Sequence, residues 1–243
     1  MEQTKRNQGD SEVGLFTEVN KSKNNLCLYC GDNANTRDHA PSKVFIDENF
    51  MGFLPTVPSC SKCNNSYSVD EEYVANWIEI LSRKCISEYK RRTKTDRALA
   101  RNSKLKEKLS QQIVSDAGGL RFGFDRKSFE NIFRKLATAH VGYEIDALKA
   151  KSEPLIAINF AFLMSKDGLT NFNSMPKLDY APEIGSRACS EIVVTVFEDD
   201  LETSLFWKIV QPEKYRYSVS IVENIEVKIV VNELIYVSIV WIK

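Results

Sequence analysis

Histidine is scarce in this chain, which has only two, His39 and His140, in 243 residues. No run of about 18 apolar residues occurs, so a membrane-spanning helix is not expected. The stretch from Met1 to Asn25 is polar and charged, without the apolar region of a secretory signal. There is no Gly-rich phosphate loop, no G-x-S-x-G and no internal repeat, which removes the sequence signatures of P-loop, serine-hydrolase and solenoid proteins. Charge of one sign is also missing overall: 33 Lys and Arg balance 33 Asp and Glu. Any attraction to a polyanion must therefore be local.

Six cysteines are present, and four of them are paired closely: Cys27-Leu-Tyr-Cys30 and Cys60-Ser-Lys-Cys63. A two-residue gap lets both thiolates of a knuckle reach one ion, and Zn²⁺ takes four sulfurs tetrahedrally at about 2.3 Å. Four free thiols or two disulfides are the alternatives. Each pair sits in a polar turn (Cys30-Gly31-Asp32 and Cys63-Asn64-Asn65), which favours one structural Zn²⁺ held by Cys27, Cys30, Cys60 and Cys63. Such an ion would supply the stability that a segment of some 45 residues lacks. A closed tetrathiolate site leaves no open position for chemistry. The spacing, with Cys85 and Cys189 isolated, fits a reducing compartment and predicts a soluble cytoplasmic protein.

Between the knuckles lies Arg37-Asp38-His39, predicted to end a short strand. His39 is the best general base in the chain, since imidazole titrates near 6.5. Asp38 is a hard oxygen ligand suited to Mg²⁺ or Mn²⁺. Adjacent strand residues face opposite ways, so a bend is needed for both to meet one phosphate. Asn64 follows the fourth cysteine and could add an amide oxygen. Arg37 and Lys43 flank the histidine as candidate phosphate contacts, or as plain surface charges.

Ser68 and Glu71 read as a capping box opening a helix on which Val74, Trp77, Ile78, Leu81 and Cys85 recur at helical spacing. Residues 83–108 then hold eleven Lys or Arg against three acids, a net +8. Within them Lys90, Arg91 and Arg92 are candidate nucleic-acid contacts; a solvated helix face is the plainer alternative. Asp125 is expected to cap a second helix with Phe129, Ile132, Phe133, Leu136 and His140 on one face, where His140 reads as a core residue. From Ser152 the pattern becomes strands: Leu155–Met164, Ser190–Phe197, Ser204–Val210, Tyr215–Val222, Ile225–Val231 and Leu234–Ile242. Short turns imply antiparallel neighbours, and the alternation in 225–229 implies one wet face.

The pattern of a CxxC pair, an Asp-His, and a second CxxC followed by a polar ligand resembles the HNH, or ββα-metal, nucleases over about residues 27–72. The wording Asp-His-x-Pro-Ser-Lys with Cys-Asn-Asn is similar to HNH proteins that accompany bacterial defence systems against phage. The resemblance implies that His39 activates water and that Asp38 and Asn64 hold one Mg²⁺ or Mn²⁺. The middle Asn of the family pattern is absent, with Pro55-Thr56 in its place. The expected fold is α+β: an N-terminal zinc-stabilised ββα-metal unit (25–92) after a polar leader (1–24), basic central helices (93–150), and a C-terminal antiparallel sheet (151–243). The expected activity is endonucleolytic hydrolysis of DNA, with RNA as the other substrate of the same chemistry. The alternative is a zinc-stabilised protein that binds nucleic acid, or a protein partner such as an ATPase or sensor, without cleaving anything. No membrane partner is expected.

Overall fold

The computed structural model describes residues 16–18, 26–47, 50–145, 147–150, 152–174, 207–221 and 224–242. Its organising element is a 19-residue helix, α5 (Arg126–Glu144), preceded by the elements that wrap it. In chain order these are β1 (Phe16–Glu18), β2 (Thr36–His39), β3 (Thr56–Ser59), α1 (Ser61–Ser66), α2 (Ser68–Cys85), α3 (Thr93–Arg101), α4 (Ser103–Gln112), β4 (Ile113–Asp116) and β5 (Gly119–Phe122). After α5 come β6 (Ala147–Ala150), β7 (Leu155–Phe160), α6 (Lys166–Asn173), β8 (Lys208–Gln211), β9 (Tyr215–Ile221), β10 (Ile225–Val231) and β11 (Ile235–Trp241). No helix among the described residues is long and apolar enough to cross a membrane.

The C-terminal sheet has the order β7-β11-β10-β9-β8, and every neighbouring pair is antiparallel. The α+β class and the antiparallel C-terminal sheet are thus as the sequence implies. The predicted Ser190–Phe197 strand and the first residues of Ser204–Val210 lie outside the described residues. Tyr215, Tyr217, Ile225, Val227, Ile229, Val237 and Ile239 turn their side chains onto α5 and α2. Val74, Trp77, Ile78 and Leu81 meet them from α2, and Phe129, Ile132, Phe133 and Leu136 from α5, in one continuous core. Each large side chain fully buried there contributes ~1.5–3 kcal/mol. Helices and sheet therefore share one interior.

The short β4–β5 hairpin supplies part of that core, which the sequence pattern does not suggest. Its Phe122 and the following Phe124 pack edge-on to Trp77, whose indole N–H donates to the Gly123 carbonyl at 2.9 Å. The second face of the sheet also differs from expectation. Lys228 is buried, and its ammonium donates to the Phe172 carbonyl at 3.0 Å. Helix α6 and Trp207 cover Val230 and Tyr236, so this face is not simply wet.

The capping box does not form. α1 runs almost straight into α2, with Tyr67 between them, so Ser68 lies inside a helix and bonds back to the Asn65 carbonyl. Glu71 is used elsewhere, as described below. Asp125 does cap α5, its carboxylate accepting from the Ser128 N–H at 3.3 Å. The leader contributes at least one strand: β1 pairs antiparallel with β6.

Candidate functional site

The two cysteine knuckles meet where the chain backbone ties them. Gly31, at φ +82°, turns the first knuckle so that its N–H reaches the Cys27 carbonyl at 2.8 Å. That left-handed backbone suits glycine, which has no Cβ to clash. The Leu28 N–H donates to the Pro58 carbonyl at 3.0 Å. Asn35 accepts through Oδ1 from both the backbone N–H and the hydroxyl of Ser61. The second knuckle is held by the start of α1, with the Cys63 N–H donating to the Cys60 sulfur at 3.4 Å.

The result is one cluster. The sulfurs of Cys27, Cys30, Cys60 and Cys63 all lie within 4.8 Å of one another, and Cys30 and Cys60 approach to 3.7 Å. Tetrahedral Zn–S bonds of about 2.3 Å require sulfurs about 3.8 Å apart. Ionisation of four crowded thiols is self-limiting. Burial and then the neighbouring thiols push Cys63 far up. Burial opposes ionisation of Cys27, yet backbone groups at Cys60, Cys30 and Tyr29 bring it down to about 7. A cation is what allows four thiolates to coexist. The four cysteines could hold a metal such as zinc. They are also the only such cluster of His, Cys, Asp or Glu among the described residues.

Strands β2 and β3 form an antiparallel ribbon directly before α1, in the register Arg37↔Pro58, Asp38↔Val57 and His39↔Thr56, with no bulge. Alternation therefore sends Asp38 and His39 to opposite faces. His39 lies half-buried on the outer face with exposed Arg37. Arg37 donates to the Thr56 hydroxyl at 2.7 Å and to its carbonyl at 2.9 Å, so it braces the ribbon opposite His39. Burial, then the charge of Lys43 and more weakly that of Lys135, lower the His39 pKa against the opposing pull of Asp38. Lys43 itself is exposed, at the start of a single 3-10 turn (Lys43–Phe45).

On the inner face Asp38 is buried. Its Oδ2 accepts from the Tyr29 hydroxyl at 2.7 Å and pairs with Lys135 of α5 at 2.8 Å. Burial first, then the charge of Asp38, raises the Tyr29 pKa well above its ordinary value, so Tyr29 remains a donor. Lys135 also donates to Glu71 and to the Ser42 hydroxyl, completing a buried polar knot. Leu28, Ala40 and Val57 pack on Ala139 one turn along the same helix. No hydrogen bond among the described residues engages Asp38 Oδ1. Asn64 sits half-buried in the first turn of α1, its N–H on the Cys60 carbonyl at 2.9 Å.

The basic segment divides in two. Lys90 and Arg91 are exposed, as are Arg97, Arg101, Lys104, Lys106 and Lys108. Arg92 is not a surface contact. It is buried, and its guanidinium donates to the carbonyls of Val44 and Ile46. Its backbone N–H donates to Glu79, which is itself fully buried and accepts from Tyr89 at 2.6 Å. The loop after His39 is thus tied to the start of the basic segment by an internal cation. Arg83 is likewise engaged, by Glu79 and Asp96.

Sequence reasoning overlooked Tyr29 and Lys135 as partners of Asp38, and Glu71 and Ser42 as the further partners of Lys135. A lysine on the apolar stripe of a helix was the available signal, since Lys is almost never buried unpaired. No protein-family model matches the chain, and neither does any curated protein or solved structure.

Proposed function

We propose that this chain is a metal-dependent endonuclease of the HNH kind acting on DNA, with the four cysteines as its structural zinc site. The observation that carries the reading is the order ribbon-then-helix: β2 ends on His39, β3 pairs with it, and α1 begins between Cys60 and Cys63 so that Asn64 is fixed beside the knuckle. His39 is half-buried with its pKa lowered, so it is a neutral base at pH 7. It would take a proton from water as the oxygen attacks phosphorus. The P–O3′ bond then breaks, leaving 5′-phosphate and 3′-hydroxyl ends, the 3′-oxygen being protonated from solvent. Asp38 Oδ1 and the Asn64 amide would hold one Mg²⁺ or Mn²⁺, ions that bind few protein oxygens and keep several waters. When bound, that ion supplies charge stabilisation to the phosphorane-like state and the leaving oxygen. Exposed Lys43, Lys90 and Arg91 would meet phosphates. A role as an effector in defence against phage belongs to the same reading.

A second reading is favoured by two observations. Lys135 already neutralises Asp38, and the unbulged ribbon turns Asp38 to the face away from His39, as befits a zinc-stabilised module that binds nucleic acid or a protein partner without cleaving it. Plasmid nicking in Mg²⁺ or Mn²⁺ separates the two. The first requires nicking by the parent protein and none by His39→Ala; binding without any nicking by the parent supports the second.

A further inference from the structure

Two large apolar side chains stand out in solvent a few residues before Thr56, the strand partner of His39. Met51 is 96% exposed and Phe53 is 81% exposed, the two highest values for large hydrophobics among the described residues. They belong to a short loop with a defined build. Phe50 and Leu54, at its two ends, pack against the main core. A Cβ at Gly52 would collide with the Phe50 ring, so glycine lets that ring tuck beneath the loop. The inward ends and the glycine between them turn Met51 and Phe53 outward. Exposing both costs solvation free energy with no return inside the molecule, a cost that a covering partner would recover.

The position of the tip identifies the partner. The loop leads into Pro55 and Thr56, whose backbone meets the end of β2: Ala40 N–H donates to the Pro55 carbonyl at 2.9 Å, and Thr56 pairs with His39. Three residues from Phe53 to Thr56 span at most ~11 Å and the paired strands lie ~5 Å apart, so Phe53 stands within about five nucleotides of His39. Arg37 and Lys43, both exposed, lie on the chain to either side of His39. Cationic side chains beside a protruding Phe and Met are the chemistry of a wedge: the cations meet phosphates, while Phe or Met enters between base pairs and unstacks them. We infer that the 51–53 tip is a wedge that inserts into a base step of duplex nucleic acid within about five nucleotides of the bond presented to His39. This rests on the nuclease reading and adds to it a preference for duplex steps that unstack easily, such as pyrimidine–purine steps.

The test uses the full zinc-loaded chain carrying His39→Ala, so that duplex is bound but not cut. Duplexes carry 2-aminopurine at successive positions, whose fluorescence rises on unstacking. A rise at one or two adjoining positions is expected. Adding Met51→Ala and Phe53→Ala should abolish the rise and weaken binding about 10-fold, with zinc content and Tm unchanged, and Phe53→Trp should keep both. Equal affinity and equal fluorescence with and without the tip side chains would overturn the wedge. So would concentration-dependent self-association that the double alanine variant abolishes, since the tip would then be a protein interface. Nicking by the His39 protein that the tip variants leave undiminished sinks the wedge alone, whereas absence of any binding or nicking by that protein sinks the nuclease reading with it.

Discussion

The Lys135 ammonium stands 2.8 Å from the Asp38 carboxylate, and both side chains are buried. One helix of the core thereby carries a cation to the strand that ends on His39. Removing a single partner of a buried ion pair leaves an unpaired buried charge, which costs ~3–5 kcal/mol. Lys135→Met strands two carboxylates, Asp38 and Glu71. Its urea-unfolding free energy should fall by that amount. Asp38→Asn in the Lys135→Met background should cost less than in the parent, with a coupling of ~0.5–3 kcal/mol. Additive effects would show that the pair is not coupled.

The cysteine cluster predicts one zinc per chain by elemental analysis of purified protein. Cys60→Ser removes a ligand and also the sulfur that accepts from the Cys63 N–H. It should lose the zinc and lower Tm. At this chain size each kcal/mol is worth ~2–4 °C, and a strong chelator should reproduce the shift in the parent. A metal-free parent with unchanged Tm would remove the structural role.

Cleavage should depend on pH through His39. The neutral imidazole is the active base, so protonation removes activity as pH falls. Burial and Lys43 set its pKa below the ordinary 6.5. The rate is therefore expected to be flat from pH 7 to 8 and to drop only below about 6.5. Single-turnover cleavage across this range checks it; a midpoint above 6.5 contradicts the assigned environment.

His140 predicts a different pH effect, on stability. It is fully buried, stacks on Tyr217 with ring centroids 3.6 Å apart, and shares a hydrogen bond with Tyr215 at 2.8 Å. Burial lowers its pKa to about 3. The unfolded chain takes up a proton at this residue below about 6.5, while the folded chain refuses it. Stability is therefore unaffected above that value and is lost as pH falls from about 6.5 towards 3, by at most one proton's slope. Chemical unfolding of the parent between pH 7 and 5 should be steeper in pH than that of His140→Gln. Equal slopes would show that His140 takes up its proton while folded.

Salt dependence separates the two kinds of basic residue. Each phosphate contact contributes about 0.9 to the slope of log affinity against log salt. Lys90→Ala and Arg91→Ala together should reduce that slope by about 2 and leave Tm unchanged, because both side chains are exposed. Arg92→Ala should instead lower Tm, since it frees the Val44 and Ile46 carbonyls and removes the guanidinium that faces Asp47 at 3.8 Å. Fluorescence anisotropy at several salt concentrations, with thermal melts alongside, distinguishes them.

Local pattern determined a good deal of this molecule. The CxxC spacing brought the two sulfurs of each knuckle together because two-residue turns have few conformations, while the ties between Leu28 and Pro58 and between Asn35 and Ser61 joined the two knuckles. The 3.6-residue period of Val74, Trp77, Ile78 and Leu81 and the short strands from Tyr215 onward were legible, since burial of one stripe or one face is written directly into side-chain order. Tertiary structure decided what lies far apart in sequence. Asp38 and Lys135 meet only because α5 packs against the knuckle, and no local period announces a contact across 97 positions. Arg92 reads as one more surface cation among Lys90 and Arg91, and becomes internal because its guanidinium donates to the carbonyls of Val44 and Ile46, which lie far from it in sequence. The Ser68–Glu71 capping box failed for the same kind of reason. A buried ammonium attracts Glu71 more strongly than the backbone N–H of a helix whose preceding turn is already α1.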